Sequence, residues 1–234
     1  MRIILTILLF FSFLKCGLSQ SVNYRDVFGD DWKKAEIFLI ENRAWIEPVL
    51  KKNNIPYTLA VAVIFPELVR YSALRDKMEI TLLKALYINL GEDYANFSIG
   101  RFQMKPSFAE NVREQSSTGI RHQSEINFRR RSDFDNIQSY RKSIVNDLED
   151  PKSEFNYLVV FIMICEKKFK ISKKSEDERL KFLATAYNFG FDKSSLQIEN
   201  MIDKKFFNTK LFKTENYSYA DVSLFWYKEY LSER

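Results

Sequence analysis

A single histidine, His122, and two cysteines, Cys16 and Cys165, are all the imidazole and thiol chemistry in 234 residues. A structural zinc site draws four such ligands from short spacings, so no metal centre and no cofactor are expected. Glycine and proline are sparse as well, at six and five. An all-β chain needs turn residues about every 8–12 positions. Their scarcity, beside long stretches of helical periodicity, predicts an all-α chain. Long hydrophobic runs are also missing. Ile3 to Leu14 and Tyr157 to Cys165 both fall short of the ~20 residues that a membrane-spanning helix requires. An excess of one charge is nearly absent too, with 36 basic against 31 acidic residues.

Met1-Arg2 ahead of Ile3–Leu14 has the charged start and short apolar core of a signal peptide. Gly17-Leu18-Ser19 supplies small residues for cleavage after Ser19, giving a leader over 1–19. Cys16 offers a lipoprotein alternative, although Lys15 before it fits that processing poorly. The expected location is periplasmic or secreted. Cleavage would leave 215 residues, enough for one sizeable core. It would remove Arg2 and Lys15 and so lower the net charge of +5 by two, to +3. So mild an excess is no nucleic-acid signature, though it suits an anionic polymer. With Cys165 left alone, no internal disulfide can form, and its apolar neighbours make it a core residue.

Asp30 or Asp31 is placed to cap a helix from Trp32 toward Arg43, with a new start near Pro48. Asn53-Asn54-Ile55-Pro56 reads as a turn and Asp76 to Leu90 as a helix stopped by Gly91. Residues 109–150 are polar and include Arg129-Arg130-Arg131. They are expected to form a solvated connection with one or two exposed helices, or a rim that attracts an anionic ligand. Phe155 to Phe169 reads as a buried helix. Ser175 with Glu178 forms a capping box for a helix ending near Tyr187. The last stretch is aromatic (Phe206, Phe207, Phe212, Tyr217, Tyr219, Phe225, Trp226, Tyr227, Tyr230). It either packs a terminal helix on the core or stacks on sugar rings.

Against this background one acid is out of place. Ile64-Phe65-Pro66-Glu67-Leu68-Val69 sets a carboxylate inside an apolar run, directly after a proline. Proline inside a helix costs ~3 kcal/mol and pushes the preceding residue, Phe65, from helical dihedrals. A buried Glu needs a partner or a proton. Two rules broken side by side mark Glu67 as the first candidate for chemistry. No other carboxylate sits in a comparably apolar setting; Glu92 and Asp93, after Gly91, are expected to face solvent or cap the next turn, and one of them at the cleft would make hydrolysis with a bound water credible.

Two further stretches follow, Gly100-Arg101-Phe102-Gln103-Met104-Lys105-Pro106 and Ala186-Tyr187-Asn188-Phe189-Gly190. In this order, after Glu67, they resemble the lytic transglycosylases of the lysozyme-like superfamily, which carry a catalytic Glu at a helix end, then Gly-Leu-Met-Gln-x-x-Pro, then Ala-Tyr-Asn-x-Gly. The resemblance covers about residues 55–190, with 191–234 an aromatic C-terminal helical extension of one domain spanning 20–234. The family's Ser after the catalytic Glu is Leu68 here, and its Leu-Met is Arg101-Phe102.

The resemblance implies a lysozyme-like helical domain that cuts the β-1,4 bond between N-acetylmuramic acid and N-acetylglucosamine in peptidoglycan strands. Glu67 would be acid and then base, while the sugar's own 6-hydroxyl attacks and leaves a 1,6-anhydromuramoyl end. It further implies substrate contacts from Gly100, Phe102, Gln103, Met104, Tyr187 and Asn188. Tyr187 would place its hydroxyl near Glu67, and Gly100 would let the backbone pass close to substrate. Arg70 and Arg101 either clamp a peptide-stem carboxylate or neutralise Glu67. The alternatives are a hydrolytic muramidase of the same fold, which needs a second carboxylate with a water, and an inactive wall-binding protein.

Overall fold

The computed structural model describes residues 22–73, 77–119, 125–209 and 215–233. The leader, Cys16 and His122 lie outside them. The described residues are mostly helical: α1 (Tyr24–Phe28), α2 (Asp30–Lys52), α3 (Tyr57–Ala73), α4 (Lys77–Leu90), α5 (Pro106–Gly119), α6 (Ile137–Glu149), α7 (Pro151–Phe169), α8 (Glu176–Phe189), α9 (Ser195–Glu199) and α10 (Tyr219–Ser232). One small antiparallel pair, β1 (Lys205–Phe207) with β2 (Tyr217–Ser218), completes the chain. No helix among the described residues is long and apolar enough to cross a membrane.

Helix α3 is the axis. Ala60 through Phe65 are fully buried, and α2, α7, α8 and α10 all pack against the helix. A helix that is apolar on every side can be satisfied only in the centre of a core. Each large side chain there contributes about 1.5–3 kcal/mol by leaving water. That burial decides the fate of Pro66. The expected break does not occur, and the helix runs through the proline to Ala73. Pro66 has no N–H for the Ala62 carbonyl, but in the same turn the Tyr219 hydroxyl donates to Val63 O at 2.9 Å. Packing from four helices outweighs the local penalty. Pro48 likewise lies inside an unbroken α2, which packs chiefly on α3, so the new helix start expected near it does not occur.

Local signals set the other boundaries. Asp150 accepts from Ser153 N at 2.9 Å with Pro151 at the first helical position, which starts α7. Ser175 and Glu178 form the expected capping box of α8. At the start of α2 the cap position is held by Gly29 (φ 52°) instead of an aspartate; Asp30 and Asp31 occupy the first turn.

One expectation is corrected. The stretch 109–150 is only partly a solvated connection: α5 and α6 pack on α7 and bury Ala109, Val112, Ile144, Val145 and Leu148. Arg113, 5 % exposed, donates to Tyr157 Oη, Ser143 Oγ and Asp147 Oδ2 at 2.7–2.9 Å. Arg129, Arg130 and Arg131 are exposed, as expected. Of the two readings of the aromatic tail, packing on the core is the one seen for Phe207, Tyr219, Trp226 and Tyr227, while Phe206 is exposed and Phe212 lies outside the described residues. Trp226 stacks on Phe65 with centroids 5.1 Å apart, and Trp32 meets the same ring at 4.5 Å. Helix α10 is thereby fixed to α3.

Candidate active site

Where α3, the loop before α5 and the end of α8 converge, a groove of about 560 Å³ opens. Glu67, Gln103, Met104, Tyr187 and Asn188 all line it. Three stretches far apart in sequence are thus brought to one surface.

Glu67 is 2 % exposed. Its ion-pair partner among the described residues is Arg70, one turn on, whose Nη1 donates to Oε1 at 2.8 Å and Oε2 at 2.9 Å. Burial pushes the Glu67 carboxyl above the ordinary glutamate value. The Arg70 charge pulls it back, helped by a hydrogen bond from Asn188 and by the Lys105 ammonium. The result is an acid held between two states beside open space. Arg101 takes no part: its guanidinium lies over Phe38 and Tyr71, 4.6 and 4.2 Å from the ring centres.

Gln103 and Met104 sit on a tight loop closed by Ile99 N to Met104 O at 2.8 Å and the reverse bond at 3.0 Å. Gln103 adopts φ 54°, a left-handed conformation costing ~1–2 kcal/mol for an L-residue. Its side-chain amide donates to Gly100 O at 2.9 Å, which offsets part of that cost.

The anchor of this loop was not anticipated. Glu154, on α7 and 0 % exposed, accepts from Phe102 N through both oxygens at 3.1 Å. The backbone N–H groups of Met104 and Arg101 also point to it. Burial raises this carboxyl well above its usual range, while those three donors and the Arg101 charge oppose the rise. The expectation that no acid matches the apolar setting of Glu67 is therefore wrong. Glu154, however, does not line the groove; it faces the loop from behind. A clue stood in the sequence, since Glu154 directly precedes Phe155 and the apolar run from Tyr157.

Glu154 explains two corrections. Phe102 does not line the groove: it is fully buried against Phe38 and Phe155, because its N–H is held inward by Glu154. Gly100 (φ 76°) likewise does not face the groove. A Cβ there would lie 2.1 Å from Leu148 O and 2.5 Å from Glu154 Oε2, so the close approach that demands glycine is to α6 and α7. The Tyr187 hydroxyl lies near enough to Glu67 to feel its charge, but its hydrogen bond goes to Phe102 O at 2.8 Å. The loop is gripped by its N–H from Glu154 and by its C=O from Tyr187.

Compared with family models, with curated proteins and with solved structures, the chain gives no match. The site must be argued from its own atoms.

Several lining residues were not singled out from sequence, namely Asn96, Lys105, Phe189 and Asp192, whereas Phe206 was among the aromatics considered for stacking on sugar. Glu92, expected to face solvent or cap the next turn, also lines the groove. Leu68, at the position where Ser was looked for, is buried and does not line the groove. No cluster of three metal-binding side chains occurs among the described residues.

Proposed function

We propose that the protein is a lytic transglycosylase of the lysozyme-like kind, cutting peptidoglycan strands with Glu67 as acid and then base. The observation that carries this reading is a buried glutamate, raised in pKa, opening on a groove with Gln103, Met104, Tyr187 and Asn188. A carboxyl pushed above its ordinary range keeps its proton to higher pH than a free glutamate, which favours its delivery to the leaving oxygen. After departure, the ionised carboxylate is stabilised by Arg70 and Asn188. It can then take the proton of the attacking 6-hydroxyl. Groove dimensions of this order suit a few sugar rings.

A hydrolytic muramidase is the second reading, favoured by Glu92 and Asp192 on the same groove. Both are exposed, and Asp192 pairs with Lys193 at 2.8 Å. Either could hold a water opposite Glu67. Mass spectrometry of the products of wall digestion separates the two. Transglycosylation gives fragments one water lighter than the hydrolytic ones; fragments with reducing ends refute the proposal in favour of the muramidase. Binding to the wall without any release would favour the inactive wall-binding alternative.

The Arg70 pair supplies a further test. Its charge favours ionised Glu67, so Arg70→Gln leaves the burial effect less opposed and raises the acid's pKa. A general acid works below its pKa, and so the alkaline limb of the pH–rate profile should move to higher pH in Arg70→Gln. A limb that stays fixed, or moves down, would show that Glu67 does not govern it.

A further inference from the structure

A second hollow of about 300 Å³ adjoins the groove and shares Lys105, Asn188, Phe189 and Phe206 with it. The two adjoin along these shared walls, and the character of the trough changes from one to the other. The part around Glu67 holds both signs of charge, with Glu67, Glu92 and Asp192 against Arg70, Lys105 and Lys193. In the second hollow the charged lining residues are Lys105 and Lys204, and no carboxylate is among them. Neither lysine has an ion-pair partner among the described residues, unlike Lys181, which meets Asp221 at 2.9 Å.

The aromatic rings divide in the same place. On β1, which pairs irregularly with β2 between Lys205 and Phe207, the two adjacent rings meet different surroundings. Phe207 is buried beneath the Arg70 guanidinium, 4.6 Å from its ring centre, whereas Phe206 is 64 % exposed and lies over the trough. Phe189, at the end of α8, is 38 % exposed on the same stretch. The two arginines considered from sequence for an acidic group are otherwise engaged, Arg70 with Glu67 and Phe207, Arg101 with Phe38 and Tyr71.

We propose that this second hollow is a subsite for a carboxylate-bearing substituent of the glycan, with Lys105 and Lys204 meeting the acid and Phe206 and Phe189 covering a sugar face. The inference rests on reading the groove as a glycan site. Ammonium groups at an exposed site discriminate modestly, by about 5–10-fold for two contacts, and the effect fades with salt. A flat exposed ring adds affinity without regard to charge.

The test is calorimetric binding in the full chain carrying Glu67→Gln, which prevents turnover. The probes are an oligosaccharide of alternating N-acetylglucosamine and N-acetylmuramic acid with free lactyl carboxylates, and the same oligosaccharide with each carboxylate converted to a methylamide. The free acid should bind about 5–10-fold tighter than the amide at low salt. Adding Lys204→Glu should erase that preference and leave amide binding unchanged, while Phe206→Ala should weaken both probes alike. Equal binding of acid and amide by the Glu67→Gln protein overturns the subsite, as does a preference that survives Lys204→Glu. If neither probe binds, the glycan reading fails and the subsite with it. The comparison of two ligands on one protein does not depend on any lysine variant folding.

Discussion

Glu67→Gln is expected to reduce release of fragments from purified peptidoglycan by about 10²–10⁴-fold, the usual contribution of a positioned general acid. Glutamine keeps the volume and one acceptor oxygen for Arg70, but it has no proton to give. Stability should change little, because two effects oppose each other. Removing the acid relieves the cost of placing a charge where exposure is 2 %. It also removes the ion pair with Arg70, whose side chain is 21 % exposed and can turn to solvent. A thermal melt within a few degrees of wild type, together with lost cleavage, is the expected pair of results. Full cleavage by Glu67→Gln would remove Glu67 from the chemistry, whatever its burial.

What the sequence disclosed about this site follows from the range over which each signal acts. Glu67 was legible because its anomaly is local: an acid beside Pro66 in an apolar run needs no tertiary knowledge to look wrong. The boundaries of α7 and α8 were legible for the same reason, since Asp150-Pro151 and the Ser175/Glu178 box act within one turn. Pro66 misled because the local penalty is real but smaller than the packing of four helices around α3. Gly100 and Phe102 misled differently. Their neighbours, Leu148 O and Glu154, are about fifty residues away, and nothing in the short motif says whether a glycine makes room for a ligand or for another helix. Phe206 and Phe207 carry the same ring on adjacent residues, yet one is exposed and the other buried. Only the local backbone of β1, irregular between Lys205 and Phe207 where it pairs with β2, separates them.

Gly100→Ala should be the most damaging single-methyl change in the described chain, costing at least about 3 kcal/mol, and Gly29 supplies the control. Both glycines have positive φ, 76° and 52°, so alanine pays a conformational penalty of about 1–3 kcal/mol at either. At Gly29 a Cβ would meet nothing within 4 Å, and the penalty ends there. At Gly100 it would stand 2.1 Å from a backbone carbonyl and 2.5 Å from the Glu154 carboxylate. Leu148 O belongs to α6 and cannot swing aside as a side chain would. Glu154 cannot retreat without abandoning Phe102 N, and an unpaired buried N–H costs a further ~1–3 kcal/mol. Relief must come from the loop itself, which carries Gln103 and Met104 at the groove. For a domain of this size the melting temperature should fall by roughly 6–12 °C. Cleavage should be impaired even at temperatures where the variant remains folded, because the loop's grip on its position is lost first. Gly29→Ala should cost less and leave cleavage by the folded protein untouched. Similar losses at the two glycines, in melting and in cleavage, would mean that Glu154 and Leu148 do not hold the loop against α6 and α7.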